Sequence, residues 1–230
     1  MKVRVSLAPA YLLSSRPYSD SSLLLEVFTR EQGRVGLVAR GARSARSRWR
    51  GLLQPFLPLL LSWQQQGELG SLTGAEGAGP ATSLGGERVF YGWYLNELLL
   101  RLLQRQDPHP DLFAHYAISL DRLAGVDFEA GLRIFEKHLL AEIGYGLLLP
   151  ASLDPMLSYR YDWEQGPAPS ASGEGYAGAD LIALREERLG TPDSRRAARA
   201  LLQAALQRQL GNRPLETPQL LRALRKQTSA

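Results

Sequence analysis

Cysteine is absent from the 230 residues. Disulfides, thiol catalysis and cysteine-held zinc are therefore excluded, and the chain fits a cytoplasmic setting. Histidine is scarce, at His109, His115 and His138. None stands in an HExxH spacing or beside a second ligand. His109 sits in a turn between prolines, and the other two read as core-edge or surface residues of helices. The phosphate-cradling GxxxxGK(S/T), a GxGxxG after a strand and a GxSxG elbow are all missing. Asp20, Glu26 and Glu31 come from one small β region and read as solvated acids rather than a metal cluster. Nothing here points to an enzyme, a metal or a cofactor. No run of about 18 or more apolar residues occurs, so no membrane helix is expected. The interrupted N-terminal stretch reads as mature chain rather than a signal peptide. Lysine is nearly missing too, at Lys2, Lys137 and Lys226.

What is present is arginine, and it is clustered. Residues 1–80 carry ten Lys/Arg against five Asp/Glu, a balance of +5; the remainder carries seventeen against eighteen, a balance of −1. Such asymmetry points to a polyanionic partner for the first third. High arginine usage can reflect genome composition, so the clustering carries more meaning than the residue type. The densest stretch is VARGARSARSRWRG, Val38 to Gly51.

The hydrophobic pattern divides the chain. YLLSSR, SLLLEVFT, GRVGLVARG, PFLPLLLSWQ and ELGSLTGAE are short apolar runs with turn residues between them, and they suggest a small five-stranded barrel. Pro55 and Pro58 push the fourth run toward an edge or a bulge. The arginine-rich stretch falls between the third and fourth strands. GAGPATS, residues 77–83, breaks the pattern. Helical periodicity follows: a first helix carries Val89, Phe90, Trp93, Tyr94, Leu98, Leu102 and Leu103, a second is DLFAHYAISLDRLAG, and a third has Phe128, Leu132, Phe135, Leu139 and Ile143 on one face. Residues 150–178 are loop-rich with a short hairpin. Two more helices close the sequence, the first capped by Thr191 with Pro192 in its opening turn. The expected class is α+β, with domains at 1–78, 79–148 and 149–230.

Each guanidinium of the arginine stretch can fork onto a phosphate. Neutralised phosphates release counterions, which drives nucleic-acid binding. Trp49 between Arg48 and Arg50 offers a face for a base. The plainer alternative is a solvated loop with one buried tryptophan. On the third helix Arg133 and Lys137 lie one turn apart beside the apolar stripe, which suits an acidic peptide ending in an aromatic carboxylate. The alternative is an amphipathic helix with solvated charges.

Several longer stretches go further. SRPYSDSSLLLEVFTREQGRVGLVARGARS, GLLQPFLPLLLSW, YLNELLLRLL and LRIFEKHLLAEIGYG closely resemble the RecO family of bacterial DNA repair proteins. YRYDWEQG, YAGADLIAL and LGNRPLETPQLLRAL resemble its C-terminal part more loosely, so the likeness covers nearly the whole chain in order. The resemblance implies an oligonucleotide-binding (OB) barrel, a helical domain and a small loop-rich module with C-terminal helices packing on the helical domain. It implies a recombination mediator without bond-breaking chemistry. Such a protein binds single- and double-stranded DNA, anneals complementary strands, and with RecR helps load RecA on DNA coated by single-strand-binding protein. The DNA-binding set is then Arg34, Arg40, Arg43, Arg46, Arg48, Trp49 and Arg50. Arg122, Leu132, Arg133, Phe135 and Lys137 would take the acidic tail of single-strand-binding protein. Many members hold zinc with four cysteines after the helix signature, but residues 147–178 here contain neither cysteine nor histidine, so the third module is expected to be zinc-free. Two other classes remain at this point: an RNA- or ribosome-binding OB protein, and a hydrolase with a cryptic carboxylate site.

Overall fold

A computed structural model describes residues 3–228. Strands β1 (Val3–Tyr18), β2 (Ser22–Thr29), β3 (Gly33–Ala39), β4 (Leu59–Gln65) and β5 (Leu69–Gly77) close a barrel in the order β1-β2-β3-β5-β4. Each overlaps one of the five runs read from the sequence, with β1 extending well ahead of YLLSSR, back to Val3. β1 serves two neighbours: residues 3–10 pair with β4 and residues 10–18 with β2. Register shifts between Val5 and Ala8 and between Leu12 and Ser14 bend it around the barrel. β3 and β5 meet in parallel. Pro55 and Pro58 both precede β4, so the ladder never asks for their missing N–H. β4 pairs on both sides in the closed barrel rather than forming the expected edge, and its register shift lies away from the prolines, between Ser62 and Trp63. Leu12, Leu25, Val27, Val35, Leu37, Leu61 and Trp63 fill the interior.

The helices are α1 (Arg88–Leu102), α2 (Pro110–Ala124), α3 (Phe128–Glu142), α4 (Gly178–Arg185), α5 (Pro192–Leu210) and α6 (Glu216–Thr228). Compactness divides the chain into Met1–Ala124 with Leu215–Ala230, and Gly125–Pro214. This cut lies between α2 and α3, inside the 79–148 segment read from the sequence as one domain. The reason is that α1 and α2 are committed to the barrel. Tyr11 and Phe28 on the strands pack against Phe113 and Tyr116 of α2 with ring centroids 5.0–6.3 Å apart. The Asn96 side chain of α1 donates to the Leu13 carbonyl at 2.9 Å and accepts from the Tyr116 hydroxyl at 2.6 Å. Burial drives the Tyr116 phenol far above its ordinary pKa. Gly33 starts β3 with φ +64, and a Cβ there would sit 1.8 Å from the Asp107 carbonyl oxygen, so the connection after α1 presses on glycine alone.

The buried face of α1 differs from the expected stripe. Tyr94, Leu95, Leu98 and Leu99 are buried while Trp93 is exposed. α1 touches β1, α2 and α6, so it buries several faces rather than one. Glu97 caps α6: its carboxylate oxygens accept from the Glu216 and Thr217 amides at 2.8 and 2.9 Å.

In the second unit α3 and α4 pack on α5. A small antiparallel sheet has the order β7-β6-β8, with β6 Ser158–Asp162, β7 Gly166–Pro169 and β8 Tyr176–Ala177. Thr191 caps α5 as expected, accepting from the Ser194 amide at 3.1 Å, with Ser194 reciprocating. The four-thiolate zinc site has no counterpart in the donors present. Among the described residues no group of three or more His, Cys, Asp or Glu side chains is placed to hold a metal ion. Among them also, no helix is long and apolar enough to cross a membrane.

Candidate nucleic-acid interface

The segment between β3 and β4 folds as a chain of tight turns. Successive amides reach back three residues: Ala42 to Ala39, Ser44 to Gly41, Ser47 to Ser44, Arg50 to Ser47 and Leu52 to Trp49. Small residues at Gly41, Ala42, Ser44 and Ser47 permit this winding and leave the arginine side chains no room inside. The loop is pinned at two points. The Arg43 amide donates to the Ser21 carbonyl at 2.9 Å, and its guanidinium reaches the Ser19 and Asp20 carbonyls at 3.3 and 3.2 Å. Arg48 donates to the Thr73 carbonyl on β5 at 3.3 Å.

Arg40, Arg43, Arg46, Arg48 and Arg50 are all exposed. Among the described residues none of the five is ion-paired with a carboxylate. Five cations thus stand on one end of the barrel with their charge uncompensated. Such an arrangement makes a surface of positive potential.

Trp49 corrects the stacking expectation. Its indole is 5% exposed, packed on the barrel core, with Nε1 donating to the Arg40 carbonyl at 3.3 Å. Arg48 lies 4.1 Å above the ring centroid. The apolar ring closes the barrel end and, through that hydrogen bond, fixes the loop's path; its faces are not open to a base. Arg34 is corrected as well. It lies on β3, donates to the Leu100 carbonyl of α1 and faces Glu26, which also binds Arg105. Burial holds its guanidinium below the ordinary value, with Glu26 opposing and Arg105 adding to the shift. Arg34 ties the barrel to α1 rather than facing solvent.

The α3 residues differ from the expected exposed cation beside a groove. Leu132, Phe135 and Arg133 are buried, and Arg133 donates to Glu136 at 2.7 Å across i,i+3. The Nε and Nη1 groups of Arg133 are buried without a hydrogen-bond partner among the described residues. Lys137 is half-buried and donates to Glu187 and to the Arg185 carbonyl, both at 2.8 Å. Arg122 is exposed in the last turn of α2, in the first compact unit. Sequence reasoning missed Arg16 and Tyr18, both exposed at the end of the β1–β2 ribbon that Arg43 grips. Their i, i+2 spacing puts them on one face of a strand, but which face they share follows only from the β1–β2 register.

Comparison with known proteins agrees with this barrel-plus-helices plan. Residues 1–81 match the family described as Recombination protein O N terminal, and residues 84–153 match Recombination protein O C terminal. The DNA repair protein RecO of Alkalilimnicola ehrlichii is 48% identical over 232 residues, covering 96% of this chain and 92% of that protein. That of Nitrosococcus oceani is 46% identical over 235 residues, covering 97% and 96%. That of Methylococcus capsulatus is 43% identical over 228 residues, covering 96% and 94%. With two family matches in order and such identity over nearly its whole length, the chain belongs to the recombination protein O (RecO) family.

Proposed function

We propose that this chain is a DNA-binding mediator of recombinational repair that performs no bond-breaking step. The observation that carries the reading is the set of five exposed arginines on the barrel end, without carboxylate partners among the described residues. Guanidinium forks hold phosphates of either single- or double-stranded DNA and read no sequence. Two strands held on one cationic surface have their mutual repulsion screened, so complementary strands anneal more readily. In this reading the protein works with RecR to load RecA on coated single strands, in the cytoplasm at the nucleoid. Coated DNA is reached through the acidic tail of single-strand-binding protein. Arg133 supports a tail site on α3, because two of its buried N–H groups lack acceptors that a terminal carboxylate supplies.

The test of the interface is a titration of Arg40→Ala, Arg46→Ala and Arg50→Ala combined, since these three hold no loop contact in common with Arg43 and Arg48. Affinity for all DNA sequences should fall together, and the salt slope on single strands should shrink by about 0.7 per lost phosphate contact. Unchanged affinity and slope would return the loop to a merely solvated role, and a marked preference for RNA would favour the RNA-binding class. For the tail, a peptide with a free C-terminal carboxylate should bind about tenfold to a hundredfold more tightly than its C-terminal amide.

A further inference from the structure

With Trp49 buried, the arginine surface lacks the aromatic platform that single-strand binding calls for. The barrel supplies one elsewhere. Among the described residues of the barrel strands and their connections, Tyr18 is the exposed large aromatic, at 45%. It ends β1 opposite Ser22, and Arg16 lies opposite Leu24. Directly paired residues share a sheet face. Leu23 and Leu25 point into the barrel core, so Ser22 and Leu24 point outward, and Tyr18 and Arg16 with them. On β3, Leu37 and Ala39 are interior, so Val38 points to the same outer face, and exposed Arg40 follows directly on the end of the strand.

Arg16 and Tyr18 therefore share one outer face at the ribbon end, and exposed Arg40 stands beside it where the chain leaves β3. Tyr18 lies about 7 Å from Arg16 along the strand, and Arg40 leaves β3 next to Ala39, whose ladder partner Leu23 adjoins Ser22, the partner of Tyr18. Arg43 fastens this ribbon end to the arginine loop through the Ser19, Asp20 and Ser21 carbonyls, so the patch and the loop form one connected surface. Asp20 is the acid in residues 16–24, against these arginines.

We propose that Tyr18 is the base-stacking platform of this protein, with Arg16 and Arg40 holding the flanking phosphates of a single DNA strand. The proposal rests on the reading of the arginine loop as a DNA interface and adds to it a preference for unpaired bases. A duplex keeps its bases stacked inside and presents only phosphates to such a surface. A single strand can place a base on the tyrosine ring.

The experiment compares Tyr18→Ala, Tyr18→Phe and wild type in fluorescence titrations with an oligonucleotide as a single strand and as its duplex, across a salt series. Tyr18→Ala should lose roughly fivefold to a hundredfold in single-strand affinity. Its duplex affinity and salt slopes should stay at wild-type values, because an uncharged ring releases no counterions. Tyr18→Phe keeps the ring face and should bind single strands as the wild type does. Wild-type single-strand affinity in Tyr18→Ala overturns the proposal, as does an equal loss for single strand and duplex. If the triple arginine variant loses affinity while Tyr18→Ala does not, the platform alone fails. If the triple variant binds as the wild type does, the interface reading itself fails.

Discussion

Arg133→Ala separates a buried ion pair from a surface cation. Arg133 is 7% exposed and Glu136 is fully buried, with 2.7 Å between their charged groups. Both charges left water on folding, and the interaction between them offsets part of that cost. Alanine removes the guanidinium and leaves the Glu136 carboxylate inside without it. Removing one member of such a pair costs about 3–5 kcal/mol. At about 2–4 °C per kcal/mol for a chain of this size, the melting temperature should fall by about 6–20 °C. The assay is urea unfolding with thermal melting as a second reading. Replacing both residues, Arg133→Met with Glu136→Leu, should recover most of the loss, since neither charge then remains inside. A single variant within about 0.5 kcal/mol of wild type would place Arg133 in solvent and refute the reasoning. For the same reason a tail-binding measurement on Arg133→Ala reports folding as well as contact, and the amidated peptide is the cleaner probe.

Two further outcomes are expected. Trp49→Ala should cost about 3–5 kcal/mol by opening a cavity at the barrel end, whereas Trp49→Leu, which fills much of that space without a ring, should retain single-strand affinity; a selective single-strand loss in Trp49→Leu would make the indole a stacking residue after all. Burial raises the Glu187 carboxyl, but Lys137 and His138 outweigh it and hold the group below its ordinary value. The stability it contributes is therefore present above the unfolded value and lost as pH falls through the folded one. The melting-temperature gap between wild type and Glu187→Gln should hold at neutral pH and close on acidification below about pH 4; a gap that widens there would refute the assignment.

The strands were legible because the barrel is filled by alternate residues: Leu23, Leu25 and Val27 point in, and Leu24, Glu26 and Phe28 point out. The Thr191 cap was legible because its chemistry is local. Helix α4 was not, since eight residues in a Gly- and Ala-rich stretch give too few turns for a period. The cut between α2 and α3 was hidden because a breaker marks where one pattern ends, not which helices pack together. Trp49 and Arg133 share one cause of misreading. Each was assigned to solvent by its charged neighbours, while burial is decided by distant parts of the chain. For Arg133 a signal did exist: Arg133, Glu136 and Leu140 form a second stripe at i, i+3 and i+7, with opposite charges adjacent. For the arginine loop, charge density was sufficient to locate the surface, but the strand parity that brings Tyr18 and Arg16 to it emerges only with the β1–β2 register.

The docking of α6 on α1 has a consequence for synthesis. Glu97 accepts from backbone amides about 120 residues later, and the intervening Gly125–Pro214 forms a unit of its own. On the ribosome the barrel, α1 and α2 emerge first, and the α6 site on α1 stays open while roughly 90 further residues are made. At about 5–20 residues per second this interval lasts about 5–20 s, far longer than a helix takes to form. During it the second unit can fold while the first waits with an apolar helix face uncovered, so nascent chains stalled in this window should be the species most prone to chaperone capture and aggregation.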